Sequence, residues 1–272
     1  MSVQRRHSIL AILRARDSVR VSELRERLGV SEVTVRKDLD ILEEQGAIVR
    51  THGGAMLAEL RDSIESIQTR GMARVESKRS IARAALPLIQ HGETIYLDAG
   101  SSAAELAGFV SDMELRVVTN SLQVLNRLAD RPGISLFMVG GSYRHSAGSF
   151  IGPWAEDNLG RVQLDHAFIG ATGVSLDGRF SSQNSIESET KRAAISAART
   201  AVVIADLSKI GVQAFSVFAS SSEIDVLVTD ADADVCRRFE DLGVHVIVAE
   251  SEANSDVGVN NHAGERSDST GA

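Results

Sequence analysis

The stretch Ser31–Ala55 reads SEVTVRKDLDILEEQGAIVRTHGGA. It opens with Ser31, a preferred helix N-cap because its hydroxyl accepts a backbone N–H left free in the first turn. Val35, Leu39 and Leu42 follow at i, i+4 and i+7, the spacing of one buried helical stripe. Gly46 stands where a helix C-terminus favours a left-handed residue. At about 100° per residue, the opposite side of this helix carries Val33 and Lys37, flanked by Thr34 and Arg36. These positions lie in the first turns, the part of a recognition helix that reaches base edges in the major groove. Arg and Lys pair with guanine or phosphate, and Val33 and Thr34 suit a thymine methyl. Taken alone, the helix fits equally well as an ordinary amphipathic helix with a solvated charged face.

The flanking residues favour nucleic acid. Ser22–Leu28 predicts a short helix, Gly29-Val30-Ser31 a tight turn, and the longer helix follows, which is the helix-turn-helix order. Upstream, Gln4–Ala15 predicts a further helix with Ile9, Ile12 and Leu13 as its core face. Downstream, Ala47–Thr51 alternates like a strand and Gly53-Gly54 supplies a turn. Three helices and a small hairpin make a winged helix. The candidate DNA-binding residues are Ser31, Val33, Thr34, Arg36, Lys37, Arg50 and His52, the last two on the wing. For His52, a surface-loop histidine is the plainer alternative.

The run VSxxTVRKDLDxLExxGxIVRTHGGA resembles the DeoR family of bacterial transcriptional regulators. The resemblance implies a DNA-binding repressor or activator whose C-terminal domain senses a phosphorylated metabolite. Repression is the commoner mode in that family.

Composition agrees with a soluble cytoplasmic protein. The chain has 272 residues, 43% hydrophobic and 24% charged, a plausible small domain plus a medium one. One cysteine, Cys236, excludes an internal disulfide and suits a reducing compartment. No window reaches the apolar length of a membrane span, and the N-terminus lacks a signal peptide's apolar core. The net charge of −8 argues against a nucleic-acid partner until the chain is divided. Residues 1–57 hold 10 basic and 8 acidic residues, for +2; the remainder holds 19 basic and 29 acidic, for −10. The positive end is the helix-turn-helix end. So small an excess predicts that one head binds weakly and that a homodimer or homotetramer is needed.

The sequence divides into a winged helix-turn-helix over 1–57, a helical linker over 58–76, an α/β domain over 77–249 and a disordered tail over 250–272. In the linker region, the charges of Glu76–Arg79 read as a solvated connector. Apolar β-rich runs fall at 94–98, 115–119, 134–139, 166–170, 201–206, 225–229 and 244–248. Helical stretches at 102–110, 121–129, 187–199 and 234–242 separate most of them. Such alternation predicts a mostly parallel sheet covered on both faces. The tail is almost without apolar residues.

Ligands of open parallel sheets sit beyond the C-terminal strand ends, and these ends are polar here. Asp98-Ala-Gly100-Ser101-Ser102 and then a helix is a phosphate cradle: close backbone approach, two hydroxyls and free helix N–H groups. Thr119-Asn120-Ser121 repeats the device. Gly140–Arg144 brings a guanidinium, and Asp206–Lys209 an ammonium. Glu187 and Lys191 form an i, i+4 pair that reaches the crevice or is merely a surface ion pair. Each signal alone has a bland reading as an N-cap or strand end; together they suit an anion.

The segments D-x-G-S-S, V-V-T-N-S, V-G-G-x-Y-R, F-I-G-A-x-G, E-x-x-x-K-R and A-D-x-S-K are also similar to the DeoR-family effector domain. That domain resembles the ribose-5-phosphate isomerase type in fold. The resemblance implies a pocket lined by Asp98, Gly100, Ser101, Ser102, Thr119, Asn120, Gly141, Arg144, Lys191, Asp206 and Lys209. The family usually has Thr-Thr after the glycine; Ser101-Ser102 keeps the donors and loses the methyls. The expected partners are a double-stranded DNA operator and a phosphorylated sugar, with no cofactor. The alternative is a sugar-phosphate isomerase with a helical appendage, using Asp98, Glu187 or Asp206 as acid or base. The seven histidines are scattered and show no metal-ligand spacing.

Overall fold

The computed structural model describes residues 2–16, 18–44, 47–51, 53–57 and 74–250. The readings of Gly46, His52, most of the linker and the tail fall outside the described residues. The N-terminal unit runs α1 (Ser2–Arg16), β1 (Ser18–Arg20), α2 (Val21–Leu28), α3 (Glu32–Glu44), β2 (Ile48–Thr51) and β3 (Gly54–Leu57). Val35, Leu39 and Leu42 are buried as their spacing requires. They form one core with Ile9, Leu13, Val19, Leu24, Ile48 and Ala55, against which Ile12 is partly buried. Gly29 closes α2 in the left-handed conformation, and its N–H donates to the Arg25 carbonyl.

The wing differs from the expected hairpin. It is a three-stranded sheet of order β1-β3-β2, with Val19 opposite Ala55. Three residues are too short a run to show alternation, so β1 is invisible in the sequence. Gly54 makes the pairing possible: a Cβ there would sit 2.2 Å from the Val19 carbonyl oxygen.

The second unit begins with α4 (Val75–Ala85), followed by β4 (Thr94–Leu97), α5 (Ser101–Phe109), β5 (Leu115–Thr119), α6 (Leu122–Leu128) and β6 (Ile134–Met138). A hairpin, β7 (Ser142–Arg144) and β8 (Ser149–Ile151), leads to α7 (Pro153–Leu159) and β9 (Leu164–Gly170). Then come β10 (Gly173–Val174), β11 (Arg179–Ser182), α8 (Ser185–Ser196), β12 (Ala198–Ile204), β13 (Ser216–Ser220), β14 (Val226–Thr229), α9 (Ala233–Asp241) and β15 (His245–Val248).

All seven expected strands join one sheet of order β15-β14-β12-β9-β4-β5-β6, and every pairing within it is parallel. Its strands are apolar on both faces because both are covered. Tyr96, Ile169 and Val203 point into one core with α7, α8 and α9; Ile95, Leu97, Phe168, Val202 and Ile204 point into the other with α4, α5 and α6. The hairpin β7–β8 and the antiparallel sheet β10-β11-β13 are additions that the sequence pattern does not show. The strand order reverses between β9 and β4, so the loops leaving those two strands diverge and open a crevice.

Of the charges in the Glu76–Arg79 cluster, Glu76 and Arg79 are solvated as expected, and Lys78 alone is buried. The cluster lies in α4, where Lys78, Ile81, Ala82 and Ala85 form one buried stripe.

Candidate functional site

On the N-terminal unit, Ser31 caps α3: its Oγ accepts the Thr34 N–H at 3.3 Å and lies 2.9 Å from Thr34 Oγ1. This fixes the first turn and leaves Val33 72% exposed, with Arg36 and Lys37 also in solvent. Among the described residues, the ion pair of Arg36 is a loose contact with Glu32 one turn earlier, at 3.7 Å. The neighbouring Asp38 is buried and ion-paired to Arg5 and Arg6 of α1, so it orients the helix from behind. Arg50 is folded back onto α3, donating to Asp40 at 2.6 Å and to the Arg36 carbonyl at 3.4 Å. In this geometry it braces the wing against the helix.

On the second unit, the crevice at the β4/β9 reversal is a cleft of about 260 Å³. Gly100 begins its floor at φ 155°, ψ 159°, a conformation that glycine tolerates and side chains rarely adopt. Its carbonyl accepts the Ala104 N–H at 3.0 Å and starts α5. The N–H groups of the first turn, at Ser101, Ser102 and Ala103, have no acceptor within the helix, and these residues line the cleft. Arg144 from β7, Lys191 from α8, and Asp206 and Lys209 after β12 complete the expected part of the lining.

Beneath it lies a buried charge cluster. Lys191, 2% exposed, donates to Asp98 and to the Gly170 carbonyl at 3.0 Å, and its Nζ is 3.4 Å from Glu187 Oε1. Glu187 also receives Arg144 Nη1 at 2.8 Å. The Glu187–Lys191 pair is therefore an interior contact, not a surface one. Burial works against the Lys191 charge, but Asp98 and Glu187 outweigh it and raise the ammonium above the ordinary lysine range. Burial pushes the Asp98 carboxyl up, against the pull of Lys191. Burial, reinforced by Asp98, holds the Tyr96 phenol well above its usual value.

Four of the expected residues stay out of the cleft. Asp98 is fully buried behind Lys191, where it also accepts the Gly170 N–H at 3.1 Å. Thr119 ties two strands, donating to the Leu97 carbonyl at 2.6 Å and accepting the Ser121 N–H at 3.0 Å. Asn120 is buried, and its carbonyl holds the Phe150 N–H of the β7–β8 hairpin at 2.8 Å. Gly141 serves packing: a Cβ there would be 2.6 Å from the Ile151 carbonyl oxygen. Strand-end polarity marks the sheet edge at which the cleft opens but not the direction of each side chain.

Conversely, Arg74, Lys78, Gln123, Ser146, Thr172, Gln183 and Ser208 line the cleft without having been expected there. For Lys78 the signal was present, since it continues the stripe of Ile81, Ala82 and Ala85 one turn back. The others sit on loops and helix ends whose convergence no local pattern reveals.

Fold and geometry define a protein that joins a winged helix-turn-helix to a doubly wound α/β domain with a cation-lined cleft at its strand reversal. Two family models match: the DeoR-like helix-turn-helix domain over residues 5–61 and the DeoR C terminal sensor domain over residues 73–231. The chain belongs to the DeoR family of transcriptional regulators. It is 33% identical over 250 residues to a putative aga operon transcriptional repressor of Escherichia coli O157:H7, covering 90% of this chain and 93% of that one. It is 32% identical over 251 residues to the transcriptional repressor GlcR of Bacillus subtilis, covering 92% and 97%. It is 33% identical over 237 residues to the glycerol-3-phosphate regulon repressor of Escherichia coli K12, covering 85% and 92%. Among solved structures, ribose 5-phosphate isomerase A of Methanocaldococcus jannaschii aligns with TM-score 0.36 and 20% identity, covering 49% of this chain and 53% of that one.

Proposed function

We propose that this protein is a transcriptional repressor of a sugar or carbohydrate catabolism operon, released from its DNA operator by a phosphorylated sugar bound in the cleft. The observation that carries this reading is the charge of the lining. Five cationic side chains, Arg74, Lys78, Arg144, Lys191 and Lys209, face two carboxylates, Glu187 and Asp206, beside the free N-terminus of α5. An anion is the ligand such a surface stabilises. The names of the relatives, which include aga operon and glycerol-3-phosphate regulon repressors, support a sugar-linked regulon.

Val33, Thr34, Arg36 and Lys37 read the operator, with Ser31 setting the helix that presents them and Arg50 bracing β2 against it; His52, outside the described residues, is a further candidate contact. The protein works in the cytoplasm as a homo-oligomer, because one weakly cationic head grips too little phosphate by itself. The sugar phosphate acts by binding one assembly geometry better than another.

An isomerase reading requires a carboxylate free to move a proton. Among the described residues, both carboxylates lining the cleft are occupied. Glu187 is held by Arg144 and Lys191, and Asp206 accepts the Ser208 N–H at 2.9 Å together with its hydroxyl.

The test is Lys209→Ala, assayed by gel shift on DNA flanking the protein's own gene. DNA binding should be retained, and the sugar phosphate concentration needed for release should rise about tenfold, the worth of one charge-assisted contact. An unaltered release curve would remove Lys209 from the cleft's function. Turnover of a sugar phosphate at enzymatic rates by the wild-type protein would overturn the reading as a whole.

A further inference from the structure

Arg74 combines its place in the cleft lining with two properties that the effector reading does not use. It is the one non-glycine residue with positive φ among the described residues, at 53°, where Cβ crowds the backbone. Non-glycine residues persist in such conformations mainly where the surroundings or a function hold them. It also lines the cleft, with Nη1 3.9 Å from Asp206 Oδ1. Finally, it stands at the point where the chain arriving from residues 58–73 enters α4, whose first turn closes through the Lys78 N–H donating to the Arg74 carbonyl at 3.1 Å.

The guanidinium is poised rather than committed. The oxygen it faces already accepts the Ser208 N–H at 2.9 Å and the Ser208 hydroxyl, and Arg74 adds only a charge contact beyond hydrogen-bonding distance. Its side chain is 50% exposed, and among the described residues no hydrogen bond engages its donors, which face the cleft. Helix α4 itself is anchored by Ile81, Ala82 and Ala85 in the core and by Ser77 donating to Asp230. A new pull on Arg74 therefore acts on the backbone at the entry to the helix and on its first turn, which the Arg74 carbonyl closes, not on the anchored turns beyond.

Resting on the effector reading above, we propose that Arg74 contacts the effector's phosphate and passes occupancy of the cleft to the segment leading to the DNA-binding head. The phosphate replaces Asp206 as the guanidinium's partner, and the hydrogen bonds it accepts fix the left-handed turn that joins the connecting segment to α4.

Inorganic phosphate serves as the probe, titrated by calorimetry into the full-length protein, with amide hydrogen exchange followed over residues 74–80. In the wild type, saturating phosphate should slow exchange there. Arg74→Gln should bind phosphate about tenfold more weakly and, at saturation, show no such slowing. Arg74→Gly, which accepts the left-handed backbone and lacks the guanidinium, should behave like Arg74→Gln. Lys209→Ala should lose affinity yet regain the slowing once saturated. Wild-type affinity or a wild-type exchange response in Arg74→Gln overturns the proposal while leaving the cleft's anion reading intact. Failure of the wild type to bind phosphate in the cleft would bring down the anion reading and this inference together.

Discussion

The two cationic surfaces of this protein are built on opposite terms. On α3, Arg36 and Lys37 stand in solvent, and Arg36 makes a loose contact with Glu32. In the cleft, Lys191 is enclosed, bonded to Asp98 and flanked by Glu187, which also holds Arg144. A surface that meets a polyanion from outside keeps its charge available, because water screens it cheaply until contact. Charge held indoors needs a partner at all times, since an unpaired buried ion is costly. The head is therefore the salt-sensitive region and the cleft the stability-sensitive one.

The largest expected effect breaks that contrast at its buried end. Lys191→Met leaves Asp98 without its ammonium and should destabilise the sensor domain by about 3–5 kcal/mol. Denaturant titration should show the loss in the sensor transition alone; a change below about 1 kcal/mol would mean that the buried pair is not what sets the domain's stability. Next, Arg36→Ala and Lys37→Ala should each weaken DNA binding by about 1–3 kcal/mol and lower the salt slope by about one, with folding unchanged. Equal gel shifts at physiological salt would end their assignment.

A smaller effect sharpens the comparison on the alkaline side. Folded Lys191 and Tyr96 both titrate above their ordinary values of 10.5 and 10.0. A raised folded pKa adds stability that is complete below the unfolded value and is lost as pH climbs through the folded one. The sensor domain should therefore lose stability progressively above pH 10, and Tyr96→Phe should make that decline shallower. The smallest effect belongs to the exposed side: Arg50→Ala, removing the contact with Asp40, should cost the head about 0.5–1 kcal/mol in thermal melts. A clear fall in DNA affinity without any change in melting would instead return Arg50 to the DNA surface.

Much of the architecture was legible because burial imposes a period. The Val35–Leu39–Leu42 stripe and the seven apolar runs each repeat over enough residues to show which way they face, and all seven runs became strands of one sheet. Strand β1, the β7–β8 hairpin and the β10-β11-β13 sheet escaped because most of their strands are only two to four residues long, too short for alternation to declare itself. Thr119, Asn120 and Gly141 were taken for ligand contacts because a polar or glycine strand end looks the same whether it faces a ligand or a neighbouring loop. The hydrogen bonds of the Thr119 side chain, the Asn120 backbone carbonyl and a 2.6 Å approach at Gly141 tie these positions to the scaffold.

The residue order alone determined the helix-turn-helix, the parallel sheet and the edge of that sheet where the cleft opens, since each follows from local periodicity and from backbone groups that any chain must satisfy. Only the tertiary structure decided which cations share the cleft. Lys191 meets Asp98 and Arg144 meets Glu187 across distant parts of the chain, and Arg74 joins the lining beside Asp206. Such meetings depend on the parallel pairing of β4 with β9 at the strand reversal, a long-range geometry that no short window of sequence encodes.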